Sequence, residues 1–343
     1  MLNKSKITKI KRKFFINDSR KNLFAISLLL IITIGLILIT TTIFLENSNG
    51  FVKNWNTNIR FVLQMFFTGA SLGIGSYLIQ RMTNNKLADT SVMGLGNFNL
   101  IPIAALAIST DFSGSNHLTG KLTATQYSYI MPIIVVIASI TMTLIFNFMS
   151  KDKTKFNFKK LLISGIILNL VSVAIAFSLS AAGDTLSSQR IEQKVIGTID
   201  GNTSEFNFYF SMSVIIFAFL WLLINSYKIQ LVIQNQEIAR QTGVANISIM
   251  IQTMICIGLL VGGSYAMSGD FVFVGLVAGN IAFKISKTKV SYGIATSGLI
   301  GGSMVMATYF IFSNLINVPT GIIAPLIPLI ISPYFVYLLI RWK

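Results

Sequence analysis

Asn85-Lys86-Leu87-Ala88-Asp89-Thr90-Ser91-Val92-Met93-Gly94 is a short polar bridge between two apolar stretches, roughly 61–80 and 92–109. It carries Lys86 and Asp89, whereas the apolar stretches carry no charged residue at all. Neutral runs of about 20 residues joined by a charged bridge read as membrane helices meeting at a membrane surface. Outward from this point the pattern repeats at roughly 23–45, 127–149, 161–182, 206–226, 247–268, 290–313 and 320–340, and over the shorter run Phe271–Phe283. The sequence therefore predicts an all-α polytopic membrane protein with about ten transmembrane helices. The short run reads as a tilted or partly protein-buried helix, because such backbone is tolerated away from lipid.

Composition agrees. Only 11% of the 343 residues are charged and 53% are hydrophobic, against about 25% charged in soluble domains. The net charge of +16 would suggest nucleic acid in a soluble protein. Here its distribution gives another cause. With ten spans and a cytoplasmic N-terminus, 22 Lys/Arg fall on the inner side and five on the outer: Lys53, Arg60, Lys121, Arg190 and Lys194. Four acids lie inside and seven outside, so the inner face is +18 and the outer −2. That is the positive-inside pattern, and it requires the short eighth segment to cross. No nucleic-acid partner is expected; membrane lipid is.

Residues 1–22 hold eight Lys/Arg and read as a basic cytoplasmic segment preceding one membrane domain, 23–343. The apolar run that follows is longer than the ~7–15 residues of a signal core, so it is expected to stay as the first span. Cys256 has no partner cysteine and His117 no second histidine, so neither a disulfide nor a metal centre is expected. The stretch from Gly114 to Leu122 imitates a phosphate loop, but it has one residue too many between its glycines and Leu122 in place of Ser or Thr. Nucleotide chemistry and catalysis are therefore not expected of this chain.

The spans hold no ionisable residue, only neutral polar ones: Gln64, Asn97, Asn99, Asn169, Gln252 and Asn280. This disfavours a proton relay and leaves sodium sites of carbonyls and hydroxyls open. Glycine clusters at Gly69/Gly73/Gly75, Gly262-Gly263 and Gly298/Gly301/Gly302 suit close helix packing. Pro102, Pro132, Pro325 and Pro328 are candidate kinks. Between the sixth and seventh spans, Gln234 to Val244 reads as a short surface helix stopped by Gly243.

Taken together these residues resemble the FecCD-type permeases of ABC importers for ferric siderophores, haem and vitamin B12. Arg60, Gly69-Ala70, Gln80, Asn85-x-Leu87-Ala88-Asp89 and Gly94 follow that family's order. So do Gly165-Ile166-Ile167-Leu168-Asn169, Glu237-Ile238-Ala239-Arg240-x-x-Gly243-Val244, Phe273-Val274-Gly275-Leu276-Val277 and Pro319-x-Gly321 with Pro333. Lys86 and Thr90 stand where the family has prolines. Ala278-Gly279-Asn280 replaces its Pro-His, and Thr57 and Asn314 stand where two further external arginines are expected.

The resemblance implies a type II ABC importer permease fold in the bacterial cell membrane, with both termini cytoplasmic. It implies a partner permease (a second copy or a sister chain), two ATPase subunits that use ATP and magnesium, and an extracytoplasmic substrate-binding lipoprotein. No cofactor would be held by this chain. Glu237, Ile238, Ala239, Arg240, Gly243 and Val244 would couple to the ATPase, Asn85, Leu87, Ala88, Asp89 and Gly94 form the family signature, and Arg60 would dock the binding protein. The implied cargo is an iron chelate. The alternative is a secondary transporter or channel that works without an ATPase.

Overall fold

The computed structural model describes residues 23–40, 55–111, 122–151, 156–183, 185–199, 203–269, 271–286, 289–318 and 320–340. The basic segment 1–22, His117 and most of the phosphate-loop lookalike lie outside the described residues. Thirteen α-helices run through the rest: α1 Leu23–Thr40, then α2 Trp55–Thr83, α3 Leu100–Ile108, α4 Ala124–Ser150, α5 Phe158–Ala182 and α6 Thr185–Ile196. They continue as α7 Glu205–Ile224, α8 Ser226–Gln234, α9 Gln236–Gln241, α10 Asn246–Met267, α11 Val274–Ser286, α12 Val290–Phe310 and α13 Thr320–Ile340.

Local chemistry sets many of the starts. Thr123 and Gln126 form a reciprocal capping box at α4, and the side chains of Asn157, Ser204 and Asn235 accept from first-turn N–H groups of α5, α7 and α9. Each satisfies donors that a helix start otherwise leaves orphaned. Pro102 sits in the first turn of α3, where its missing N–H costs nothing; Pro132, Pro325, Pro328 and Pro333 lie within α4 and α13.

Among the described residues, seven helices are long and apolar enough to cross a bilayer, within α1, α2, α4, α5, α7, α10 and α12 with its π-helical extension. Three shorter apolar helical stretches, Asn97–Ile108, Val274–Ser286 and Ile322–Tyr334, fall in the other segments expected to span. The sequence did not anticipate α6, in the connection after the fifth span, or α8, at the end of the sixth.

Helix α2 is central. Its spanning window is 83% buried, against 11% for α1 and 28% for α5. The glycine clusters read separately in the sequence meet here: Gly69 and Gly301 lie against each other's carbonyl groups, and Gly73 lies against the Ser297 carbonyl of α12. A Cβ on Gly69 or Gly301 would overlap the facing backbone, so only glycine lets these two helices approach so closely. Around this seam the core is apolar, with Tyr77, Tyr265 and Tyr309 fully buried. Phe148, Leu170 and Phe217 point outward from α4, α5 and α7, as lipid-facing side chains do.

Candidate functional site

Most of the bridge Asn85–Gly94 is not at the surface: Ala88–Ser91, Met93 and Gly94 are buried, while Lys86 and Val92 stay exposed. After α2 ends, Asn84 takes φ +49° and the chain turns back into the bundle. Asn85 builds the reversal, its Oδ1 accepting from Leu87 N–H at 3.0 Å and its carbonyl from Ala88 N–H at 3.2 Å. Asp89 is 1% exposed. Its carboxyl accepts from the Ser76 hydroxyl and from the Thr90 and Ser91 N–H groups, and its carbonyl accepts from Met93 N–H at 3.0 Å. Asp89 is thus the N-cap of one isolated turn. Ser76 lies about two turns before the end of α2, so the carboxyl sits about 10 Å inside that end. The spans read from the sequence hold no ionisable residue, yet Asp89, read as part of the connecting bridge, is buried among them, because the chain re-enters where apolar counting places a surface loop.

The third span is correspondingly broken. Gly94, at φ +71°, packs on Asn169 of α5 in a conformation that L side chains resist. A 3₁₀ turn at Asn97–Asn99 then leads into the nine residues of α3. Side chains tie down the irregular backbone. Asn97 Nδ2 donates to Asn169 Oδ1 at 2.8 Å, Tyr265 Oη to Asn97 Oδ1 at 3.1 Å, and Asn169 Nδ2 to the Val92 carbonyl at 3.2 Å. Ser139 Oγ donates to Asn99 Oδ1 at 2.9 Å, and Asn280 Nδ2 to the Lys86 carbonyl at 2.7 Å. Four helices (α4, α5, α10 and α11) thus hold one loop. Non-helical backbone is tolerated at membrane depth only when buried in protein in this way.

The predicted surface helix exists as α9. Asn235 Oδ1 accepts from Glu237 and Ile238 N–H at 2.9 and 3.2 Å, and Gly243 at φ +81° ends it. Ala239 is buried, while Glu237, Ile238, Arg240 and Gly243 are exposed and Val244 half-buried. The element is anchored by residues that the motif reading passed over. Gln236 Oε1 accepts from Phe156 N–H and its Nε2 donates to the Phe156 carbonyl, both at 3.1 Å. Asn246, opening α10, donates to the Gln236 carbonyl, and Gln230 of α8 accepts from Val290 N–H, opening α12, at 3.3 Å. The α8–α9 unit therefore grips the starts of α5, α10 and α12. A glutamine directly before the Glu-Ile-Ala-Arg run was the available signal.

At the opposite end, Lys194 of α6 donates to the Ala266 and Met267 carbonyls at 3.0 and 3.2 Å. Gln64 Nε2 joins it on Met267 at 3.0 Å and Asn207 Nδ2 on Ala266 at 2.9 Å. An ammonium on the last carbonyls of a helix satisfies orphan acceptors and the negative end of the helix dipole. These oxygens are committed to the chain's own donors. Arg60 Nη1 pairs with Glu205 Oε1 at 3.0 Å, and the Glu205 side chain is 74% exposed. Among the described residues, no group of three or more His, Cys, Asp or Glu could hold a metal ion.

The α8–α9 unit is capped and fastened to the starts of three spanning helices, and the Leu-Ala-Asp turn re-enters the bundle. The profile of the FecCD transport family matches residues 23–341. The chain belongs to this family.

Its relatives include the petrobactin import system permease YclO of Bacillus subtilis, 24% identical with 90% of this chain and 95% of the relative covered. The iron-uptake permease FeuC of the same organism is 23% identical, with 82% of each covered. The vitamin B12 import permease BtuC of Vibrio cholerae is 21% identical, with 84% and 82% covered. A solved inward-facing structure assigned to the metal-chelate type of ABC transporter superposes with a TM-score of 0.74 at 17% identity, covering 94% of this chain and 99% of that one. PsaBC from Streptococcus pneumoniae, solved with a Fab, gives 0.56 at 13% identity, covering 88% and 94%. These likenesses establish the permease fold of this FecCD family member.

Proposed function

We propose that the chain is the permease subunit of an ABC importer, forming with a second copy or a sister permease the path for an iron chelate such as a ferric siderophore or haem. ATP and magnesium are used by two separate ATPase subunits on the cytoplasmic face, and a binding lipoprotein delivers cargo outside. Both termini are cytoplasmic, following the charge asymmetry between the loops, and the three short apolar helical stretches complete ten crossings in the cell membrane.

One observation carries this reading. Helix α9 presents Glu237, Ile238 and Arg240 outward, while Gln236 and Asn246 fasten it to α5 and α10. A force on its exposed face reaches the starts of spanning helices through hydrogen bonds rather than through a slack loop. Names among the relatives favour iron chelates over other cargo, since two of the three described above serve petrobactin or iron uptake.

The test is uptake into liposomes by the chain reconstituted with its ATPase and binding protein. Arg240→Glu is expected to abolish most ATP-driven uptake while the protein stays folded. Unchanged uptake would remove α9 as the coupling element. Gradient-driven uptake by the chain alone would favour a secondary transporter instead. A panel of radiolabelled ferric siderophores, haem and cobalamin identifies the cargo.

A further inference from the structure

A cavity at the cytoplasmic end of the bundle adjoins the anchoring contacts of the α8–α9 unit at Phe156, Gln230 and Val290. It has a volume of about 690 Å³ and is walled by helix ends: the last turn of α2, the first turn of α5, the end of α8, Phe283 of α11 and Val290 of α12. Arg81 and Lys159 are its cations, and its described lining contains no Asp or Glu. The Arg81 guanidinium lies 4.6 Å from the centre of the Phe283 ring and is hydrogen-bonded to the Tyr77 side chain. Phe158, Phe283 and Ile233 supply an apolar wall beside the two charges.

We infer that this cavity binds the phosphodiester headgroup of an anionic phospholipid from the cytoplasmic leaflet. Two cations lining one cavity with no carboxylate call for an anion, and planar arginine is well suited to phosphate oxygens. The apolar wall distinguishes the lipid from a free anion: inorganic phosphate leaves those rings uncovered, whereas a glycerol backbone and the first methylenes of its chains cover them. The helix ends put the cavity at headgroup level, where basic pockets between helices take anionic lipids. This rests on the orientation proposed above only for the choice of leaflet; in micelles the binding is independent of orientation, coupling and cargo.

Native mass spectrometry of the purified full chain, titrated with phosphatidylglycerol or phosphatidylcholine, measures it. Wild type is expected to retain phosphatidylglycerol and to release phosphatidylcholine. Arg81→Gln and Lys159→Gln are each expected to weaken retention about fivefold, and both together roughly thirtyfold. Arg81→Lys should recover part of the loss. Lys159 is exposed, so its replacement does not threaten folding, and Lys228→Gln, on the exposed face of α8 away from the cavity, should change nothing. Equal retention by wild type, Arg81→Gln and Lys159→Gln overturns the proposal. So does equal loss from Lys228→Gln, which would mean a diffuse surface charge effect. Displacement of phosphatidylglycerol by millimolar inorganic phosphate or ATP would assign the cavity to a soluble anion and overturn the lipid reading.

Discussion

The side chains that matter most in this chain act on backbone. Asp89 caps a single turn, and Ser76 stands ready to donate to it from α2. Asp89→Ala would leave three buried donors without their acceptor and is expected to cost about 2–4 kcal/mol at roughly 1 kcal/mol or more per donor. Asp89→Asn keeps one oxygen and should cost less. Thermal unfolding in detergent ranks the two, and an equal effect would show that the cap is not what fixes the turn. Glu205 competes for Arg60 through an exposed pair, worth about 0–1 kcal/mol. If Arg60 docks the binding protein, Arg60→Glu should weaken the complex and Glu205→Gln should leave it unchanged or slightly tighter, as a pull-down titration can measure. The sequence announced Asp89 and Arg60 as members of a pattern. Their partners Ser76 and Glu205 were illegible, being ordinary residues 13 and 145 positions away whose role exists only once helices pack.

Among elements, the α2–α12 seam and the α9 stop use glycine for opposite reasons. Gly301→Ala puts a Cβ into the Gly69 backbone, and overpacking of that kind costs about 1–3 kcal/mol or more. Gly243→Ala meets open space but keeps φ +81°, a strain of about 1–2 kcal/mol. The first change should lower the yield and melting temperature of the whole protein. The second should loosen only the stretch after α9, which hydrogen exchange of residues 242–246 would read; global melting caused by both changes alike would contradict this distinction. Gln236→Leu should lower uptake per ATP hydrolysed, because α9 then pulls on α10 but no longer on Phe156. The glycine clusters, the Gly243 stop and helix α9 were legible as spacing. The pairing of one cluster with another was not, because periodicity describes a face without naming what it meets. Helix α6 was missed because counting long apolar runs passes over a short amphipathic helix; it is positioned by Lys194 on the end of α10.

For the whole molecule, apolar counting found all seven helices that, among the described residues, are long and apolar enough to span, but misjudged the path of one other apolar run. The run 92–109 is as apolar as its neighbours, yet its first half is not helical, since Gly94, Asn97 and Asn99 favour a broken path that side chains elsewhere complete. Orientation can be tested directly: Ile238→Cys should react with a membrane-impermeant thiol reagent only from the cytoplasmic side and Glu205→Cys only from outside, and buried Cys256 should stay silent. The broken span also has a consequence for biogenesis. A nine-residue helix with unsatisfied backbone before it is a poor substrate for insertion into lipid by itself, at several kcal/mol per orphaned group. Its stabilising residues Asn169 and Tyr265 are made 72 and 168 positions after Asn97, roughly 4 to 30 seconds later at ribosomal speed. Until α5 arrives, the segment must wait in the company of α2 or in the insertion machinery. The order of synthesis is therefore part of how this membrane protein reaches its fold, and a chain stalled before α5 should present Ser91–Asn99 to protease.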